Sequence, residues 1–295
     1  MSTMGRGALA AVGAAASFGV TVPLVQRFGK DVGAWSTAAL LYVGAVIVSL
    51  WSREGSVAGG FGGSDRRSLK PHAARIVIIA LLGAAAAPAL LAMGLRRIDG
   101  ASASLLLGFE AAFTVIFARL LYRERITRRL AMAIAVMFAG GVVLVRPTLG
   151  ASRGGLGALF VLVAVLCWAA DSAIMRPLSD FPSARVVRAK SLVGITASLA
   201  VALVAGETLP PLRSAALLVA CGALGYGLSL RLYLLAQKNV GAARTASVFS
   251  AAPFFGAVVA LAIGERGDLR SIGIAALLLA IGVVLQATEQ YEHRV

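Results

Sequence analysis

The 295 residues contain two cysteines, two histidines and 13 acidic side chains, and each scarcity excludes something. Cys167 and Cys221 both fall inside apolar runs, so no disulfide framework is implied and each reads as a small buried residue. His72 and His293 lie in polar segments, which removes an intramembrane Ser-His pair and any His-Glu-x-x-His metal helix. The chain has no phosphate-cradling loop of the Walker type, so direct drive by ATP is unsupported. An enzyme is not expected, nor a cofactor or a metal. Charged residues make up only 14% of the chain.

Apolar length is what the sequence has in abundance. It is 59% hydrophobic, with a mean hydropathy of +0.87, well outside the range of a soluble domain. The apolar residues form ten runs, near 8–27, 32–51, 76–95, 103–122, 130–146, 155–177, 186–206, 215–236, 245–263 and 270–288. A helix rising ~1.5 Å per residue needs about 20 residues to cross ~30 Å of hydrocarbon, and the runs have that length. The expectation is an all-α integral membrane protein of ten transmembrane helices.

The formal net charge of +15 could point to nucleic acid, but a nucleic-acid binder gathers its basic residues on a solvated face or arm. Here they sit in the links between apolar runs. Arg53, Arg66, Arg67, Lys70 and Arg75 share one link, and Arg123, Arg125, Arg128 and Arg129 another, while the alternate links are poorer. The positive-inside rule then places both termini in the cytoplasm. The expected location is a bacterial cytoplasmic (inner) membrane, with no nucleic-acid partner. The segment 52–75 reads as a Gly-rich basic cytoplasmic linker. Arg6 followed by Ala14-Ala15-Ala16 imitates a cleavable signal peptide, but the internal repeat needs this segment as its first helix.

That repeat appears on sliding the chain by 141 residues. Glu124-Arg125 then falls on Glu265-Arg266, Gly100-Ala101 on Gly241-Ala242, and Phe113 on Phe254. Gly141-Val142-Val143-Leu144 falls on Gly282-Val283-Val284-Leu285 in the same register. The first and sixth helices match at a shift of 150, with Gly7–Ala10 over Gly157–Phe160. Two repeats are thus expected, over 1–150 and 151–295. Each holds five spans, and an odd number inverts the second copy in the membrane. Inverted repeats mark secondary transporters, whose substrate site lies between the repeats near the midplane.

The stretch "YLLAQKNVGAARTASVFSAAPFFGAVVALAIGE" (233–265), followed by "GIAALLLAIGVVL", resembles the end of an EamA repeat of the drug/metabolite transporter superfamily. "RRIDGASASLLLGFEAAFTVIFARLLYRERI" shows the same plan in the first half. The chain departs from that pattern at Ala112, where proline is common, and at Phe18, where tryptophan is common, whereas Trp168 keeps the matching place. The resemblance implies helices one, three, four, six, eight and nine around a central cavity, with five and ten at the side. It also implies alternating access and a small-molecule substrate, the favoured reading being export of amino acids or related compounds. A facilitative or exchange permease and a non-transporting scaffold are the alternatives.

Charges inside spans direct attention to a site, because a central charge costs about 2.5–3.5 kcal/mol on insertion scales and so faces a cavity or a partner. Glu110 lies about eight residues into the fourth run, ~12 Å from its outer end, and is the candidate proton or substrate-cation site. Its aligned residue in the other repeat, Ala251, carries no charge. Asp171 and Arg231 share a depth ~8 Å to the cytoplasmic side of centre and are expected to pair, either as a structural ion pair or as a substrate clamp. Arg119 can snorkel to the interface. Phe113, Thr114 and Phe117 share the Glu110 face by their spacing, and Trp168 and Tyr226 are candidate aromatic walls. Glu124 and Glu265 read as caps or loop braces, Trp35 and Trp51 as interface anchors. Gly273 and Gly282 are expected to let the tenth helix pack closely.

Overall fold

The computed structural model describes residues 3–50, 69–123, 126–149, 152–178, 181, 183–265 and 267–292. Most of the 52–75 linker, Trp51, Glu124 and His293 lie outside the described residues. The rest is helical, with no strand among the described residues. Each apolar run predicted above coincides with a helix. We label them α1 (Thr3–Phe28), α2 (Ala34–Leu50), α3 (Ala73–Leu95), α4 (Gly100–Tyr122), α5 (Arg128–Leu149), α6 (Ser152–Met175), α7 (Ser183–Val204), α8 (Leu212–Val240), α9 (Ala242–Ala262) and α10 (Leu269–Glu292). Among the described residues, nine of these contain a stretch long and apolar enough to cross a membrane, and α2, with 17 residues, is the shorter one.

Four helices are interrupted, in matched pairs. A π turn replaces α-helix at Leu81–Ala86 in α3 and at Ala223–Leu228 in α8, 142 residues apart. Pro88 follows the first, and a proline inside a helix has no N–H to donate and crowds the carbonyl four residues back. Gly225 and Gly227 lie in the second. Helix α4 tightens at Gly108, and α9 at Ser250-Ala251. Ends are set locally. The Asp99 side chain caps α4 by accepting from Ser102 N at 2.8 Å, and Gly241 (φ 86°) turns the chain between α8 and α9.

The two halves of the chain interlock. Helix α3 packs on α6 and α7, and α8 on α1 and α2, so each half supplies a helix to the other. Small residues permit this. A Cβ added at Gly222 would lie 1.9 Å from the Leu41 carbonyl oxygen, and one at Gly19 would lie 2.2 Å from that of Ala252. Helices α5 and α10 pack on each other, with Gly282 pressed on Met137 and Gly140 on Leu278. A Cβ added at the exposed Gly273, by contrast, would meet nothing within 4 Å among the described residues, so no close approach depends on this glycine. Val142, Leu203 and Val204 point outward and are well exposed, as a hydrocarbon solvent allows.

Candidate functional site

A cavity of about 760 Å³ runs from the middle of the bundle to the end that carries both termini. Its inner part is formed by Leu107, Gly108, Glu110 and Pro253, where α4 and α9 are interrupted. Its mouth reaches Ile126 and Thr127 at the start of α5, and Gln286 on α10. The lining comes from α1, α4, α5, α6, α8, α9 and α10. The expected wall of six helices is therefore corrected: α5 and α10 take part through Leu130, Val283 and Gln286, and α3 lines none of it. The middle of α3 is instead filled by polar side chains from its neighbours. The Gly83 carbonyl accepts from Tyr42 Oη at 2.6 Å and from Trp168 Nε1 at 2.9 Å. A π turn leaves carbonyls free to accept such extra bonds.

Glu110 and Thr114 both line the cavity. The Glu110 carboxylate accepts from Ser172 Oγ on α6 at 3.4 Å. The other sequence candidates lie elsewhere. Phe113 stacks against Phe109 and Phe138, with centroids 6.1 and 5.7 Å apart, toward α5. Trp168 is buried at Gly83, and Tyr226 packs on Phe18 and Tyr42 behind the cavity wall. Phe117 and Arg231 are half-buried and outside the cavity lining.

The expected Asp171–Arg231 pair does not form. Asp171 is 3% exposed, and its Oδ2 is held by Lys190 Nζ of α7. The two side chains meet over Gly83, where only a glycine leaves room, since a Cβ there would sit 2.0 Å from Asp171 Oδ2. Asp171 Oδ1 is buried without a hydrogen-bond partner. Depth matching singles out Arg231, but Lys190 reaches the same depth from α7, the other arm of the same helical hairpin.

The opposite end of the bundle is sealed. Gln26 Nε2 of α1 donates to the carbonyls of Leu95 (3.0 Å) and Ile98 (2.9 Å). Arg96 donates to the Val32 carbonyl, and Gly100 N at the start of α4 donates to Glu265. Glu265 is thus a brace between the halves; burial, aided by Asp99, keeps its carboxyl above the ordinary 4.5 even with that amide bond and Lys30 nearby. Glu207, between α7 and α8, accepts from Trp35 N, Ser36 N and Ser36 Oγ at 3.1, 2.8 and 2.7 Å. It thereby caps the first turn of α2 from a distant segment.

The residues that sequence reasoning missed are Ser172, Tyr233, Phe249, Gln286 and Lys190. The first four are common side chains on helices already assigned to the bundle, and only the three-dimensional packing turns them to one space.

The EamA-like transporter family matches this sequence at residues 5–146 and 155–288, once in each half. A relative described as an uncharacterized transporter from Methanothermobacter thermautotrophicus is 25% identical over 230 residues, covering 76% of this chain and 67% of that protein. A solved crystal structure aligns at a TM-score of 0.67 and 20% identity over 95% of each chain, a likeness of fold. With both halves matched and a two-repeat bundle of apolar helices around one deep cavity, the chain belongs to the EamA-like transporter family.

Proposed function

We propose that this protein is a secondary active carrier that exports a small amine-bearing metabolite, an amino acid or a related compound, by alternating access. The observation that carries the reading is the asymmetry of the bundle. The cavity opens at the end bearing the termini, while hydrogen bonds donated by Gln26 and Arg96, and by Gly100 N to Glu265, close the other end. A carrier caught open to one side has this shape, and the positive-inside bias of the links supports reading that side as the cytoplasmic one. The cavity volume suits a metabolite-sized ligand.

Glu110 is the proton- or substrate-binding carboxylate in this reading, with Thr114 and Ser172 as neutral partners beside it. A carboxyl that faces each side in turn can carry a proton one way and exchange it for substrate. Glu110→Gln keeps the shape and fixes the neutral form. In proteoliposomes the variant is expected to fold and exchange substrate while losing acceleration by an imposed pH gradient. Acceleration equal to wild type would remove protons from the coupling and favour a facilitative or exchange permease.

A further inference from the structure

We propose that the cavity selects organic monocations, amines with an apolar or aromatic body and no free carboxylate, over zwitterions of the same body. This rests on the carrier reading and narrows its substrates to the related compounds, amines and amides, rather than the zwitterionic amino acids themselves. The argument starts from the balance of charge in the lining. Among the described residues, the cavity's acidic side chain is Glu110, and no Lys, Arg or His joins it. The remaining polar groups are neutral hydroxyls and an amide, from residues such as Thr114, Ser172, Ser250 and Gln286.

The nearby cation is engaged elsewhere. Lys190 is held by Asp171 over Gly83, outside the cavity. A ligand ammonium beside Glu110 therefore meets a complementary charge, whereas a ligand carboxylate finds hydrogen-bond donors but no described counter-charge. The same carboxylate also sits within one small space of Glu110, and like charges brought together out of bulk water oppose binding strongly.

The rest of the wall fits the other half of such a ligand. Phe18, Phe249 and Tyr233 form a contiguous aromatic surface, with Phe18–Phe249 centroids 5.6 Å apart and Tyr233–Phe249 5.0 Å apart in an edge-to-face pair. All three line the cavity that Glu110 also lines. Aromatic rings hold apolar bodies by contact and attract a cation through their faces. One carboxylate with an aromatic surface and neutral hydroxyls is a receptor for an amphipathic cation.

The test holds the body constant and changes the charge. Purified protein is melted against phenethylamine, phenylalaninamide, phenylalanine and 3-phenylpropionate, and against the matching indole and isobutyl series. Ligands that bind the folded state raise the melting midpoint by mass action. The amines and the amides are expected to act at concentrations at least about tenfold below the zwitterions, and the anions to be silent. Glu110→Gln should erase the gap between amine and zwitterion, and Glu110→Asp should keep its direction. Zwitterions as potent as the amines, a gap that survives Glu110→Gln, or no response to any amine of the three bodies overturns the proposal. Counterflow of labelled phenylalaninamide in proteoliposomes, above protein-free vesicles, tests the carrier reading separately. Charge-selective binding without counterflow keeps the selectivity and removes the carrier; exchange of phenylalanine with indifference to the amines does the reverse.

Discussion

Replacing Lys190 by methionine isolates the buried pair with little change in side-chain bulk. In the native protein the side chains of Lys190 and Asp171 are 12% and 5% exposed, so water screens the pair weakly. Asp171 Oδ1 already has no partner, and Oδ2 depends on the ammonium. Lys190→Met therefore leaves a carboxylate with neither counter-charge nor hydrogen bond, a change that costs about 3–5 kcal/mol in buried pairs. At ~2 °C per kcal/mol for a chain of this length, the melting temperature in detergent should fall by about 6–10 °C. Asp171→Asn in the same protein removes the stranded charge and should restore more than half of the loss. Arg231→Ala, outside the pair, should have a much smaller effect. The measurement is a melting curve of each variant in one detergent at neutral pH. If Lys190→Met melts with wild type, or the double variant no higher than the single, the two charges do not stabilise each other and the placement of α7 against α6 is wrong.

Two more predictions concern the ends of the bundle. Burial alone would raise the Glu207 carboxyl, but the Ser36 hydroxyl, the Ser36 and Trp35 amides and Arg96 outweigh it and hold it below its ordinary 4.5. A depressed carboxyl stabilises the fold above about pH 4.5 and loses that contribution as pH falls through its lower native value, so Glu207→Gln should lower the melting temperature at neutral pH and lessen the drop on acidification. A variant with the wild-type acid slope would count against the cap. For topology, in a background with Cys167 and Cys221 replaced, an impermeant thiol reagent outside the cell should label Asp31→Cys and spare Lys238→Cys; labelling of both from one side would invalidate the assigned orientation.

The spans were legible because hydrocarbon enforces length and apolarity along the chain itself, and the runs carry both. The repeat was legible because Glu124 and Glu265, Gly100 and Gly241 keep one spacing. Glu110 and Thr114 were found because a carboxylate in an apolar run needs a polar surrounding, and helical spacing puts Thr114 on its face. Lys190 was overlooked because it stands at the start of the seventh run, close behind Arg185 and Arg188, where a basic residue reads as belonging to the helix end. A register argument could have recovered it, since Asp171 stands seven residues before Leu178 and Lys190 seven after Ser183, either side of one hairpin tip. The aromatic surface of Phe18, Tyr233 and Phe249 was not readable, since it joins α1, α8 and α9 by tertiary packing alone.

The π turns of α3 and α8 have a consequence for how these helices are read by their neighbours. A π turn holds one residue more than the helix needs, and one residue is a rotation of about 100°. The stretch Ala73–Ala80 rests on α6 and α7, and after the turn Ala87–Leu95 keeps α6 and takes up α2. In α8, Leu212–Gly222 rests on α2 and α1, and after its turn Ser229–Val240 keeps α1 and takes up α9. Each helix is thus two sequence phases joined end to end, and a single-residue deletion at either turn would straighten the helix while swinging half of its side chains onto the wrong partner.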